Sequence, residues 1–377
     1  MDSRMRAAVS RRRLVQGAAA LGGAAMVPGF GAFRGSAALA QDTDWASAPD
    51  PAKAKEQAQE IVTYGMPDDW ANYGEVFKKF QESLGVPDGK HTDTDMSSLE
   101  EITKFDAEQG NPVAMFADIG LLWGRVAEEH GVVPPYLPPL AEALPAGYKG
   151  EEGGWVATFA GVPAFVVNTD AVETVPATWE DLLKPEYAGK IGSPGDPRSS
   201  GTAQTAFLAW AYAMGGDAGN LEPGVEFAKQ VIKGYNSGDS SIDLLEKGEI
   251  VLWMRYDFNC AAAVAQLKEK GINAKVVIPG VSIYAPSALM VNGHHAAKAD
   301  AQKLFMDFVL GDEAAASFAK FGARPIRYVL GDQKLPAEAT AGWLPEADYQ
   351  DVQVIEDFTG IGAEDIATVW DEDVLGG

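Results

Sequence analysis

Short β-rich runs followed by stretches of helical spacing recur along this chain, and that order constrains its fold more than any other feature. Residues 61–65 (Ile-Val-Thr-Tyr-Gly) end in glycine and lead to the helical pattern 73–84, which Asp69 or Asn72 could cap. The same order returns where 111–117 run into Asp118-Ile119-Gly120, where 190–193 run into 202–214, and where 249–254 run into 259–270. Strands alternating with helices at this spacing predict an α/β fold built on parallel sheets. Two extended segments break the rhythm. Residues 155–167, interrupted by Gly161 and Pro163, and residues 275–290, interrupted by Pro279-Gly280 and Pro286, have no helical return. If both carry the chain between lobes, residues 60–160 plus 288–345 form a discontinuous first lobe and 161–287 a continuous second one, with 346–377 a C-terminal extension packing on the first. If neither does, they are edge strands of one large sheet.

Residues 1–40 read as an export address. Ser10-Arg11-Arg12-Arg13-Leu14-Val15-Gln16 precede an uncharged Gly/Ala-rich stretch, and Ala38-Leu39-Ala40 supplies a small-x-small cleavage site, the plan of a twin-arginine signal peptide. A membrane anchor would need ~20 strongly apolar residues. Residues 17–33 are fewer and include five glycines and a proline. Export through the twin-arginine (Tat) translocase, cleavage before Gln41, a solvated leader over 41–59 and a place of work in the periplasm are therefore expected. The lone Cys260 excludes an internal disulfide, so the fold must rest on its core. Roughly 340 residues remain after residue 40, enough for two domains. With 54 acidic against 30 basic residues the net charge is −24, and six of the arginines fall within residues 1–40. Nucleic acid and anionic lipid, which require clustered Lys/Arg, are poor partners for such a surface.

Several segments could carry chemistry. In Arg198-Ser199-Ser200-Gly201-Thr202, hydroxyls, a glycine and a helix start bring N–H groups and a positive dipole end to one point, suited to an oxyanion, with Arg198 adding a two-pronged contact. The same residues also read as an ordinary N-cap with a solvated arginine. Trp70 and Tyr73 could enclose an organic ligand or pack in the core. Asp95, before Met96-Ser97-Ser98, and Asp118, before Ile119-Gly120, could meet a ligand or cap helices. His91, His130, His294 and His295 lack zinc-ligand spacing, and no nucleophile–base pair or dinucleotide fingerprint appears. Neither catalysis nor a cofactor is expected.

The stretch Thr178-Trp179-Glu180-Asp181-Leu182-Leu183-Lys184-Pro185-Glu186-Tyr187-Ala188-Gly189-Lys190-Ile191 resembles a segment of the periplasmic solute-binding proteins of ABC importers, in the branch of iron(III), polyamine, thiamine and phosphonate binders. Residues 196–202, 297–316 and Phe321-Gly322-Ala323-Arg324-Pro325-Ile326-Arg327 resemble further segments of that family, in the same order. The resemblance implies a two-lobed type II binding-protein fold, a ligand cleft between lobes joined by two hinge crossings, and a monomer that hands a small solute to the membrane permease of an ABC transporter. It implies ligand contacts near Trp70, Tyr73, Asp95, Asp118, Arg198, Ser199, Ser200, Gly201, Thr202, Ser237, Arg255, Tyr256, Asp257 and Tyr284. The iron binders use two adjacent tyrosines; here Asp257 follows Tyr256, which puts iron in doubt, although Tyr256, Asp257, Tyr284 and an anion could still surround a hard cation. Asp257 with Trp253 would suit an amine equally well. Basic and hydroxyl groups favour an anionic end and the aromatics and acids a cationic or aromatic one, so a small amphoteric organic solute satisfies both. Iron(III) with a synergistic anion is the alternative within the family, and a Tat-exported enzyme the alternative outside it.

Overall fold

A computed structural model describes residues 43–237 and 240–376, so the export address and Gly238-Asp239 lie outside the described residues. Two sheets organise the chain into two lobes. The first sheet has the order β11-β4-β10-β3-β1-β2, formed by β1 (Glu60–Tyr64), β2 (Lys90–Thr94), β3 (Phe116–Gly120), β4 (Trp155–Gly161), β10 (Ala285–Val291) and β11 (Arg324–Pro325). The second has the order β6-β7-β5-β8, formed by β5 (Pro163–Asn168), β6 (Ile191–Gly192), β7 (Leu252–Tyr256) and β8 (Ala274–Val277).

The expected parallel sheets are parallel only in part. β1 pairs in parallel with β2 and β3, and β6 with β7, because helices return the chain between them. β10 runs antiparallel to both β3 and β4, and β5 antiparallel to β7 and β8. These are the segments without helical return: β4 passes through Val162 directly into β5, and the short β9 (Ser282–Ile283) passes into β10. Both crossings between lobes are thus extended backbone, the geometry of a two-strand hinge.

Each lobe has its own core. On the helix Tyr73–Ser83, Val76, Phe77 and Phe80 are buried while Lys78 and Glu82 face out. Phe77, Phe80 and Phe116 pack around Phe305 at centroid distances of 4.7, 5.0 and 4.6 Å. In the second lobe Ala164, Val166, Leu245, Ile250, Cys260, Ala263 and Leu267 form one buried cluster. The Thr178 hydroxyl accepts from the Asp181 N–H (3.3 Å) at the start of a short 3-10 helix, and Gly189 turns the chain toward β6 at φ +73°.

Two terminal segments behave differently from their composition. Residues 43–59 are not a solvated leader: Pro51–Gln57 is a helix capped by Asp50, Trp45 is buried, and the Lys303 ammonium donates to the carbonyls of Asp44 and Ser47 (both 2.8 Å). The C-terminal extension reaches both lobes rather than the first alone. Asp365 pairs with Arg125 of the first, and Asp371 with Arg198 of the second.

Candidate functional site

The loops after β1, β2 and β3 and the helix starts after β6 and β7 face one another across the interlobe cleft and enclose an inner chamber of about 180 Å³. The first lobe contributes Gly65, Pro67, Trp70, Asp95, Met96, Ser97, Ser98, Asp118 and Gly120; the second contributes Ser200, Gly201, Thr202 and Tyr256; Ser287 comes from the hinge strand β10. The lobes touch here. The Leu99 N–H donates across the cleft to the Ser199 carbonyl (3.4 Å).

Two helices start at this chamber from opposite sides. In Ser98–Ala107 the Glu100 carboxylate reaches back to the N–H (2.8 Å) and hydroxyl (2.7 Å) of Ser97, and the Ser98 hydroxyl accepts from Gly120 N–H (3.0 Å). In Gly201–Ala213 the Ser200 hydroxyl caps the Ala203 N–H (3.4 Å). The first N–H groups of a helix have no intrahelical acceptor and carry its positive dipole end. Two such ends, with hydroxyls around them, make a pocket for oxygen atoms bearing negative charge. Among the described residues, no Lys or Arg lines the chamber.

The first-lobe wall is acidic. Asp118 is 8 % exposed, and its oxygens accept from the Trp70 indole N–H (2.7 Å) and the Tyr73 hydroxyl (3.0 Å). Burial pushes its carboxyl up to about 7, against the pull of those two bonds. Asp95 sits at the rim, raised by partial burial and by Asp93 and Asp69. Behind Gly65 lies Glu101, fully buried with neither oxygen hydrogen-bonded, its carboxyl raised well above the ordinary range by burial and then by Asp118. An ionised carboxylate only accepts, whereas a carboxyl kept protonated by burial also donates, so this wall can meet a hydroxyl or amine of a ligand in its ionised form and an acceptor oxygen in its protonated form. The Tyr256 hydroxyl shares a hydrogen bond with the Thr205 hydroxyl (3.0 Å), and burial pushes it up to about 12.

Next to the inner chamber lies an outer one of about 300 Å³ that shares Pro67, Trp70 and Asp95 and adds Asp69, Trp253, Arg255, Asn259, Gln266 and Phe321 among its lining residues. The Arg255 guanidinium lies 4.2 Å over the Trp253 ring and donates to the Ser193 carbonyl (2.9 Å).

Of the residues singled out in the sequence, Trp70, Asp95, Asp118, Ser200, Gly201, Thr202 and Tyr256 line the inner chamber, and Arg255 lines only the outer one. The others are elsewhere. Tyr73 is a core residue that holds Asp118 through its hydroxyl. Arg198 turns its two-pronged face to Asp196 (2.7–3.1 Å) and its remaining nitrogen to Asp371 (2.9 Å), away from the chamber. Ser199 offers its carbonyl to Leu99, and Ser237 is exposed on the second lobe. Asp257 is buried at the hinge, where it accepts from Val162 N–H (2.8 Å) and the Tyr349 hydroxyl. Tyr284 is a hinge residue whose N–H donates to the Gln353 carbonyl (2.9 Å). Tyr256, Asp257 and Tyr284 therefore do not converge on one cation, and among the described residues no group of three or more His, Cys, Asp or Glu side chains is placed to hold a metal. Ser287 had no local signal, a lone serine in an apolar strand; Ser97 and Ser98 stood in a loop of interest in which only Asp95 was singled out.

A fold of two α/β lobes on a two-strand hinge, closed over a polar chamber, defines a solute-binding protein of the periplasmic type. Residues 123–351 match the family described as bacterial extracellular solute-binding protein, and the chain belongs to that family. Membership assigns it to the extracytoplasmic receptors. A sulfate-binding protein of Synechococcus elongatus is 28 % identical over 179 residues, 45 % of this chain and 49 % of that one, so the match spans about half the relative's length. Among solved structures, the fold is similar to that of the periplasmic binding protein AfuA of Actinobacillus pleuropneumoniae with fructose 6-phosphate bound (TM-score 0.63, 21 % identity, 84 % of this chain and 99 % of that one). It is also similar to iron-bound HitA of Pseudomonas aeruginosa (TM-score 0.61, 17 % identity, 84 % and 99 %) and to PotD, a spermidine/putrescine transporter's substrate-binding protein from Streptococcus pneumoniae (TM-score 0.58, 16 % identity, 84 % and 98 %).

Proposed function

We propose that this protein captures a small amphoteric organic solute by hinge closure and presents it to the permease of an ABC transporter, after Tat-dependent export to the periplasm as a monomer. The observation that carries this reading is the meeting of two helix N-termini at a chamber whose other wall is Asp118 and Asp95. An oxyanion end sits against the N–H groups of the two helices and the hydroxyls of Ser200 and Thr202. A hydroxyl or amine of the same solute donates to Asp118, and its larger part extends along Trp70 toward Trp253 in the outer chamber.

Iron(III) with a synergistic anion is supported less well. Of the tyrosines considered for iron only Tyr256 lines the chamber, and its phenol resists ionisation. Catalytic turnover is supported less well too: the one serine–carboxylate contact described at the chamber, Ser97 with Glu100, is engaged in capping the helix Ser98–Ala107. Thermal-shift screening of the mature chain against sulfate, phosphate, fructose 6-phosphate, spermidine and ferric citrate tests the proposal, since a ligand of the folded form raises the melting temperature. An oxyanion-bearing organic probe is expected to shift it most. A shift by spermidine alone, or by ferric citrate where citrate without iron gives none, with no shift from any other oxyanion-bearing organic solute, overturns the assignment.

A further inference from the structure

We propose that residues 343–376 are part of the closing machinery, a strap that ties both lobes together behind the hinge, with Tyr349 as its positioning residue. The family match ends at residue 351, so most of this segment is not carried by family membership. Its contacts follow one path. The strand β12 (Val352–Gln353) pairs in parallel with hinge strand β9, Val352 opposite Ser282 and Gln353 opposite Ile283. The chain then docks on the first lobe, where the Tyr148 hydroxyl donates to the Ile355 carbonyl, the Tyr148 and Phe358 rings lie 5.3 Å apart, and Arg125 meets Asp365 at 3.6 Å. It finishes on the second lobe, on the helix whose N-terminus faces the chamber. The buried Gln204 amide donates to the Ala363 carbonyl (3.1 Å), the Phe207 and Trp370 rings lie 5.8 Å apart, and Asp371 pairs with Arg198 (2.9 Å).

Tyr349 joins this path to the hinge. Its hydroxyl donates to one oxygen of Asp257, whose other oxygen accepts from the N–H of Val162, the residue between β4 and β5; the Asp257 N–H returns a bond to the Val162 carbonyl (2.8 Å). Asp257 follows Tyr256, a wall of the chamber, so the phenol of Tyr349 holds hinge and chamber wall in one register. Its ring in turn lies 3.8 Å under the Arg324 guanidinium. Opening the cleft moves the helix Gly201–Ala213 away from the first lobe. A strap anchored on both lobes must then release one anchor, so it restrains opening and holds captured solute longer.

The experiment measures interlobe distance in the unliganded full mature chain, with nitroxide labels on Ala107→Cys and Glu226→Cys. Both sites are exposed, whereas the native Cys260 is fully buried and escapes labelling. Tyr349→Phe, which deletes only the hydroxyl, and Trp370→Leu are each expected to shift the distance distribution to longer values. Phe80→Leu, a core change in the first lobe, lowers the melting temperature without moving it. An unchanged distribution in both strap variants, or an equal widening in the Phe80→Leu control, overturns the proposal.

Discussion

Gly120 and Gly201 close the cleft backbone to backbone: a β-carbon on Gly120 would lie 2.6 Å from the α-carbon of Gly201. One ends β3 and the other opens the helix facing it, so the lobes meet where both helix starts are exposed to the chamber.

A single methyl group here acts as a wedge. Neither glycine has a positive φ, so alanine is unstrained in the separated lobes and only closure is opposed. Gly201→Ala is expected to leave the unliganded melting temperature within a few degrees of the parent and to weaken an oxyanion probe at least tenfold, about 1.4 kcal/mol. Isothermal titration checks the affinity, and an unchanged Kd would show that closure does not bring these backbones together.

Asp118 makes stability depend on pH. Its carboxyl is raised to about 7 in the folded protein, by burial first, against about 3.9 when unfolded. The folded state therefore holds the proton more tightly. This stabilisation is full below pH ~4 and is lost as pH rises through about 7, with up to about 4 kcal/mol at stake. Asp118→Asn cannot ionise, so urea denaturation between pH 4.5 and 8 is expected to show a flatter decline than the parent. An equally steep decline in the variant would clear Asp118 of the effect.

Trp70 tunes the same group. Its indole N–H favours the charged carboxylate, so Trp70→Phe is expected to move the Asp118 midpoint above that of the parent. Carbon-detected NMR titration of the aspartate carboxyls reads this directly, and a midpoint that falls contradicts it.

Arg324 supports the hinge by packing. It is 1 % exposed and its guanidinium lies 4.1 Å over Trp343 and 3.8 Å over Tyr349, whereas its ionic partner Glu346 is largely exposed. Arg324→Ala is expected to cost roughly 2–4 kcal/mol in denaturant unfolding, with Arg324→Lys recovering less than half because an ammonium lacks the planar stacking surface. A loss under about 0.5 kcal/mol would place the hinge's support elsewhere.

The alternation of strand and helix was legible because each element carries its own periodicity, and the two crossings because Gly161, Pro163 and Pro286 interrupt runs that no helix follows. Sheet direction was not legible: it depends on which strands β10 falls between, a long-range choice. Arg198 misled for a similar reason. The motif around it suits an anion, but Asp196 is two residues away and Asp371 is 173 residues away, and the folded chain brings both to the guanidinium. In the extension the helical spacing of Ala363, Ile366, Ala367 and Trp370 marks a buried face, but not which lobe covers it.

A chamber lined by helix ends rather than by cationic side chains changes how binding responds to salt. Its attraction for an anion is short in range and acts only after entry, while the acidic exterior, part of a chain of net charge −24, repels the same anion on approach. Added electrolyte screens the approach over a Debye length of about 10 Å at 0.1 M and leaves the enclosed contacts almost untouched. Capture of an anionic solute should therefore accelerate with ionic strength while release stays constant, the reverse of a receptor that recruits its anion with lysine and arginine.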